Sequence, residues 1–182
     1  MNRVELLKLL GERRAFPSVV EVGVKVGEFS CRFKRLLKAN RVVLVDPWKH
    51  FGDYEDVNNP SQAVQDSRFE FVRKFMPYAE ICREESITAA LRFATAGERF
   101  DFVYLDARHD YEPVRQDIAA WWPLIAPGGV LAGHDYLDGQ VRECVFGVKR
   151  AVREFAEEYR LTIGVTGEED YPSWWAWKPR AR

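Results

Sequence analysis

Four short apolar runs punctuate the chain: SVVEVG (Ser18–Gly23), RVVLVD (Arg41–Asp46), FDFVYLD (Phe100–Asp106) and GVLAGHD (Gly129–Asp135). Each is Val-rich or nearly unbroken, whereas a strand wet on one face would alternate apolar and polar residues. Runs of this kind predict strands covered on both faces, as in a parallel sheet. A weaker run, YAEIC (Tyr78–Cys82), predicts one more strand between the second and third of them.

Between these runs the apolar period becomes helical. Phe29, Phe33, Leu36 and Leu37 line one face after the first run. Val114, Ile118, Trp121 and Ile125 repeat the pattern after FVYLD, with Pro127-Gly128 as the stop. Val145, Val148, Val152, Phe155 and Tyr159 make a third stripe. The opening segment, MNRVELLKLLGERR (Met1–Arg14), reads as a charged amphipathic helix and not as a signal peptide. LTIGV and SWWAWK read as two closing strands around the turn-rich TGEEDYP. Strand–helix alternation ending in a hairpin predicts one α/β domain over residues 1–182. Its sheet is mostly parallel with an antiparallel edge, between layers of helices.

Composition narrows the function classes. Lys and Arg total 27 against 28 Asp and Glu, so no basic excess points to nucleic acid. The longest apolar run falls short of the ~20 residues of a membrane span, and no membrane partner is expected. The 3 Cys (Cys31, Cys82, Cys144) are widely spaced and odd in number, as expected of reduced, buried thiols in a cytoplasmic protein. The 6 Trp are expected mostly in the core, where a large aromatic contributes its buried area.

Ligands of open α/β sheets bind beyond the carboxyl ends of the strands, so the strand-end residues carry the candidate chemistry. The first run leads into EVGVKVGEFS, where Gly23 allows a turn close under a ligand and Gly27 a close helix start. The chain has neither G-x-G-x-x-G nor G-x-x-x-x-G-K-[ST], which argues against a dinucleotide fingerprint and a nucleoside triphosphate cradle. Asp46 ends the second run, where an acid grips the two hydroxyls of a ribose. Glu85-Ser86 opens the helix after the weak run and suits contacts to an adenine edge. Asp106 ends the next strand, followed by His109, and the last of the four runs ends in His134-Asp135. Asp106, His134 and Asp135 offer two carboxylates and an imidazole, a set that suits a divalent cation with open positions. His50 reads as a surface or capping residue.

EVGVKVGEFS, VVLVDPW and FDFVYLDARHDYEPVRQDIAAWWPLIAPGGVLAGHDY together resemble the class I S-adenosylmethionine-dependent methyltransferases. The likeness is to a small O-methyltransferase branch that includes macrolide-sugar and cephalosporin-tailoring enzymes and, more distantly, catechol O-methyltransferase. It runs from Ser18 to Tyr136 and is strongest where D-x-x-H-x-Y, Asp117, P-G-G and G-H-D-Y follow in order. The resemblance implies a Rossmann-like, seven-stranded sheet whose last strand is antiparallel. It implies that Glu21, Gly23 and Gly27 border the methionine part of S-adenosylmethionine. Asp46 would bind its ribose, Trp48 would pack on the adenine, and Glu85 and Ser86 would meet the adenine edge. Asp106, which would also adjoin the cofactor, falls with His134 and Asp135 where metal-dependent members hold magnesium. The branch often carries Asp-Asp, Glu-Asp or Asp-Asn where this chain has His134-Asp135. It is compatible with self-association.

On this reading the enzyme aligns a hydroxylated small molecule with the sulfonium methyl and removes its proton. A magnesium or manganese ion on Asp106, His134 and Asp135 would lower the hydroxyl pKa. His109 is the candidate general base, or else orients a metal ligand. Two alternatives stand beside it. One is a metal-independent N- or O-methyltransferase with a His base; the other is a module that binds the cofactor or a nucleoside without turnover. The loop Trp48–Pro60, with Gly52 as hinge, reads equally as a cover for the cofactor and as a plain surface loop.

Overall fold

The computed structural model describes residues 1–52, 59–141, 144–168 and 170–180. The elements are, in order, α1 (Arg3–Arg13), β1 (Ser18–Val22), a 3-10 turn (Ser30–Arg32) running into α2 (Phe33–Leu36), β2 (Arg41–Val45), α3 (Gln62–Phe75) and β3 (Glu80–Cys82). There follow α4 (Ser86–Thr95), β4 (Phe100–Leu105), α5 (Tyr111–Trp121) and β5 (Ile125–Gly133). The chain continues through β6 (Asp138–Val141), β7 (Cys144–Gly147), α6 (Val148–Tyr159), β8 (Ile163–Val165) and β9 (Trp174–Trp177).

Seven strands form one sheet in the order β3-β2-β1-β4-β5-β9-β8. The pairs β3–β2, β2–β1, β1–β4 and β4–β5 are parallel, and β9 is antiparallel to both β5 and β8. The chain reverses direction across the sheet at β1, first toward β2 and β3, later toward β4 and β5. That reversal opens a crevice over the carboxyl ends of β1 and β4.

Side chains on a strand alternate between faces, and the two core layers follow that parity. Val20, Val22, Val103 and Leu105 join α4, α5 and α6 in one layer. Val19, Phe102 and Tyr104 join Leu6, Leu7 and Leu10 of α1, Phe33 of α2 and Val72 of α3 in the other. Glu21 lies two residues from Val19 and therefore points toward the α1 layer. Asn2 starts α1 with a reciprocal capping box: its Oδ1 accepts from Val4 and Glu5 N–H groups at 3.0 Å, and its own N–H donates to Glu5 Oε2 at 2.9 Å. Among the described residues no helix is long and apolar enough to cross a membrane.

The expected antiparallel edge is present, and the structure gives its order. β9 lies inside the sheet and β8 forms the rim. Trp174 and Ala176 are buried, whereas every residue of β8 is at least partly exposed, so the more apolar strand takes the covered place. Pro127-Gly128 does not end a helix. α5 stops at Trp121, and the Pro-Gly pair lies inside β5 as a bulge, with register jumping from Phe100↔Ile125 to Phe102↔Val130. Gly128 sits at φ +76°, and its N–H bonds the Lys178 carbonyl at 3.0 Å. The β6–β7 hairpin is unforeseen: DGQV is too polar to stand out, and Val145, assigned to a helical stripe, is an exposed strand residue. Of the three free cysteines only Cys82 is buried; Cys31 is exposed and Cys144 intermediate.

Candidate active site

A cavity of about 860 Å³ opens over the carboxyl ends of the parallel strands. Val45, Asp46, Glu85 and Ser86 wall one end, Gly23 and Val24 the floor, and Asp106, His109, His134 and Asp135 the other end. The strand order dictates this polarity, because β3 and β2 lie on one side of β1 and β4 and β5 on the other.

Gly23 makes the floor possible. Its φ is +85°, and a Cβ there would sit 2.1 Å from the Asp106 carbonyl oxygen. Gly27 also has positive φ, at +76°, yet it turns away from the cavity: a Cβ would meet Met76 Sδ at 2.5 Å. It lets the turn pack on the end of α3 and does not wall the ligand space.

Asp46 does more structural work than a ribose ligand requires. Its Oδ2 accepts from the N–H groups of Val24 (2.8 Å) and Lys25 (3.0 Å), and Oδ1 from that of Trp48 (2.7 Å). Burial pushes its carboxyl pKa up, and these three backbone bonds oppose that rise. Oδ2 thereby uses both of its lone pairs, and Oδ1 keeps one for a hydroxyl donor. Trp48 does not pack on a ligand. It is 0% exposed, its Nε1 donates to the Lys25 carbonyl at 2.9 Å, and its ring lies 5.2 Å from that of Phe69. An indole so buried belongs to the core and ties the turn after β2 to the turn after β1.

At the far end of the floor, Glu21 is 2% exposed and its Oε2 is a buried oxygen without a hydrogen-bond partner. Burial lifts its pKa to about 8; the Ser30 hydroxyl beside it eases this without a well-formed bond, since Ser30 Oγ is likewise unpartnered. Glu85 lies on the wall, 3.2 Å from Lys49 Nζ. Ser86 Oγ donates to Asp117 Oδ1 at 2.5 Å and accepts from Trp121 Nε1 at 2.9 Å. Asp117 also lines the cavity, and burial raises its pKa to about 6 against the lowering effect of Ser86.

Asp106, His134 and Asp135 converge at the ends of β4 and β5, with one potential ligand atom from each within 4.8 Å of the others. Asp135 anchors the group in a left-handed conformation at φ +54°. Its Oδ1 lies 2.9 Å from His134 Nδ1 and its Oδ2 3.0 Å from His109 Nδ1. Burial opposes its ionisation, but the bonds from both histidines prevail and hold the carboxyl well below the usual range. His134 Nδ1 is 3.6 Å from Asp106 Oδ1. Burial disfavours the charged His134 ring, yet Asp135 and Asp106 outweigh it and raise the pKa. Burial is likewise the main cause of the raised Asp106 pKa.

The unforeseen hairpin holds His109. Its ring stacks on Phe146 of β7 at 4.9 Å and 16°, and its carbonyl accepts the Gly147 N–H at 2.9 Å. His50 stays outside the cavity, with Nδ1 3.0 Å from the Pro60 carbonyl oxygen. The covering role for the Trp48–Pro60 loop falls largely on residues 53–58, outside the described residues. At the loop's two ends Asn59 bonds both the N–H (2.9 Å) and the carbonyl (2.6 Å) of Phe51. Arg3 is an addition to the site: it lines the cavity, and its Nη1 lies 3.4 Å from Asp106 Oδ2. On a charged helix it carries no signal that sets it apart in sequence.

Residues 20–136 match the model of a family described as a methyltransferase domain. No curated protein matches the sequence. An O-methyltransferase family protein from Burkholderia thailandensis superposes with a TM-score of 0.68 at 13% identity, over 98% of this chain and 56% of that one. This chain therefore spans little more than half of that protein. The N-methyltransferase NodS from Bradyrhizobium japonicum WM9 gives a TM-score of 0.64 at 18% identity, over 98% and 93% of the two chains. An O-methyltransferase from Bacillus cereus, in complex with S-adenosylhomocysteine (SAH), gives 0.65 at 16%, over 97% and 80%. At these identities the likeness is one of fold.

Proposed function

The chain belongs to the methyltransferase-domain family, and on that premise we propose that it is an S-adenosylmethionine-dependent enzyme that methylates an oxygen of a small hydroxylated molecule with the help of a divalent cation. The observation that carries this reading is the meeting of Asp106, His134 and Asp135 at one end of the cavity. Two carboxylates and one imidazole are a hard-to-borderline donor set, which fits magnesium or manganese. Such an ion, when bound, would lower the pKa of an acceptor hydroxyl.

The cavity's donors and acceptors also suit S-adenosylmethionine, which supplies the transferable methyl group. Asp46 has one lone pair left, on Oδ1, for a ribose hydroxyl. Glu85 and Ser86 border the end assigned to adenine, and the orphaned Glu21 Oε2 suits the ammonium of the amino-acid end. The binding energy of this remote scaffold is used to align the acceptor with the methyl group.

Within the protein, Asp135 does the orienting. An N–H at His109 Nδ1 directed at Asp135 Oδ2 leaves Nε2 as the basic nitrogen of a neutral imidazole. His109 in that tautomer takes the acceptor's proton as the methyl transfers. Phe146, stacked on the ring, fixes its plane.

A metal-independent reading has its own support. The Arg3 guanidinium already stands beside Asp106, and both oxygens of Asp135 are engaged by histidines, so the cluster is charge-balanced without an ion. Methyl transfer to a screen of phenols and alcohols, with and without excess EDTA, separates the two. Loss under EDTA with recovery on adding magnesium or manganese supports the metal reading. Undiminished transfer overturns it in favour of His109 alone.

A further inference from the structure

Arg3 is the cavity's least expected wall residue. Parity on β1 and β4 aims Glu21 and Tyr104 at the α1 layer, and Arg3 in the first turn of α1 meets them there. Its guanidinium carbon lies 4.9 Å over the Phe29 ring; it shares a hydrogen bond with the Tyr104 hydroxyl, and its charge is coupled to Tyr104, Asp106 and Glu21. The Asp106 contact, at 3.4 Å, is longer than the ~2.8 Å of a strong charge-assisted bond. A guanidinium has five donors in a fixed fork, more than Asp106 and Tyr104 engage. Lys49 and Arg108, also on the wall, are closer to their own acids, at 3.2 Å from Glu85 and 2.8 Å from Asp110.

The backbone that carries Arg3 is anchored. Leu6, Leu7 and Leu10 bury α1 against the sheet, the Arg3 N–H donates to Glu168 Oε1 at 2.6 Å, and the Gly167 N–H donates to the Met1 carbonyl at 2.8 Å. A guanidinium on an anchored helix and a buried, unpartnered carboxyl oxygen thus line the same cavity. The ligand complementary to that pair bears a carboxylate and an ammonium on one carbon, as an α-amino acid does. We propose that Arg3 receives the carboxylate of the cofactor's methionine moiety, with Glu21 facing its ammonium, and that α1 is therefore part of the cofactor site. The proposal rests on the reading that this cavity takes S-adenosylmethionine.

Calorimetric titration of the full chain with two ligands tests it. S-adenosylhomocysteine carries the amino-acid end; 5′-methylthioadenosine has the same nucleoside and thioether without it. Arg3→Met should weaken S-adenosylhomocysteine about 10- to 100-fold, as expected for loss of a hydrogen-bonded charge pair, and leave 5′-methylthioadenosine within about twofold. Arg3→Lys, which keeps the charge but not the fork, should fall between wild type and Arg3→Met for S-adenosylhomocysteine only. Unchanged S-adenosylhomocysteine affinity in both variants overturns the role of Arg3. Equal weakening of both ligands also overturns it, since the damage is then not confined to the amino-acid end. A wild type that binds neither ligand overturns the cofactor reading itself, and the Arg3 role with it.

Discussion

His109 Nδ1 lies 3.0 Å from Asp135 Oδ2, so the carboxylate that ends the GHD run is bound by the residue three positions past Asp106. β4 and β5 are thereby linked at their tips through side chains as well as through their ladder. A pair of this kind sets both the ring's tautomer and its orientation.

Replacement of His109 separates its two roles. His109→Ala should lower kcat about 10²- to 10⁴-fold, the usual contribution of a general base, with the affinity for S-adenosylhomocysteine little changed. His109→Asn can still donate to Asp135 but cannot accept a proton, so it should not recover the rate. Substantial rescue by Asn in a kcat measurement would assign His109 to positioning alone.

Glu21 makes stability and binding depend on pH. Its pKa is about 8 in the fold against 4.5 in an ordinary carboxyl, so the folded state holds a proton that the unfolded state has lost. That contribution is fully present below about pH 4.5 and is lost as pH rises toward about 8. Thermal melts of the ligand-free protein should show wild type losing ground to Glu21→Gln across that window. An ammonium beside Glu21 displaces the proton, so S-adenosylhomocysteine should bind more tightly as pH rises, by at most about tenfold per unit. A flat profile in Glu21→Gln would tie the slope to this carboxyl.

Trp48 is expected to act on stability. Trp48→Ala should cost about 3–5 kcal/mol in urea unfolding, as removal of a fully buried indole does. Trp48→Phe, which keeps much of the ring but loses the bond to the Lys25 carbonyl, should cost about 1 kcal/mol. A ligand-stacking tryptophan would behave differently, with stability intact and cofactor affinity reduced.

Ser86 is the hydroxyl that eases Asp117 into its ionised form. Ser86→Ala should destabilise the protein by about 1–2 kcal/mol above pH 6, where Asp117 is charged. The cost should shrink as pH falls and Asp117 takes up its proton, since Ser86 favours the charged form. Urea titrations at several pH values would show the two curves converging toward acid.

The parallel half of the sheet is legible in sequence because a strand covered on both faces leaves no polar alternation. β1, β2, β4 and β5 all announce themselves this way, and β3 does so more faintly. Strand ends then point to Glu21, Asp46, Asp106, His134 and Asp135, and the cavity gathers all five. Trp48 illustrates the opposite case: a tryptophan beside an acidic strand end has the same sequence whether it meets a ligand or the core. Only its bond to Lys25, 23 positions away, decides. The β6–β7 hairpin and Arg3 stay hidden for a related reason. Their roles arise from contacts across the fold, and neither a polar tetrapeptide nor an arginine on a charged helix carries a local mark.

The interior position of β9 bears on how the molecule assembles. During synthesis β5 is complete at residue 133, but its partner along that edge spans residues 174–177. Until those residues emerge, β5 offers a bare row of amides and carbonyls next to the tip that carries His134 and Asp135. β8 cannot dock earlier, because it pairs only with β9. The His134–Asp135 end of the cavity therefore matures late, and ribosome-bound chains stalled before Trp174 should be the species that chaperones have to shield.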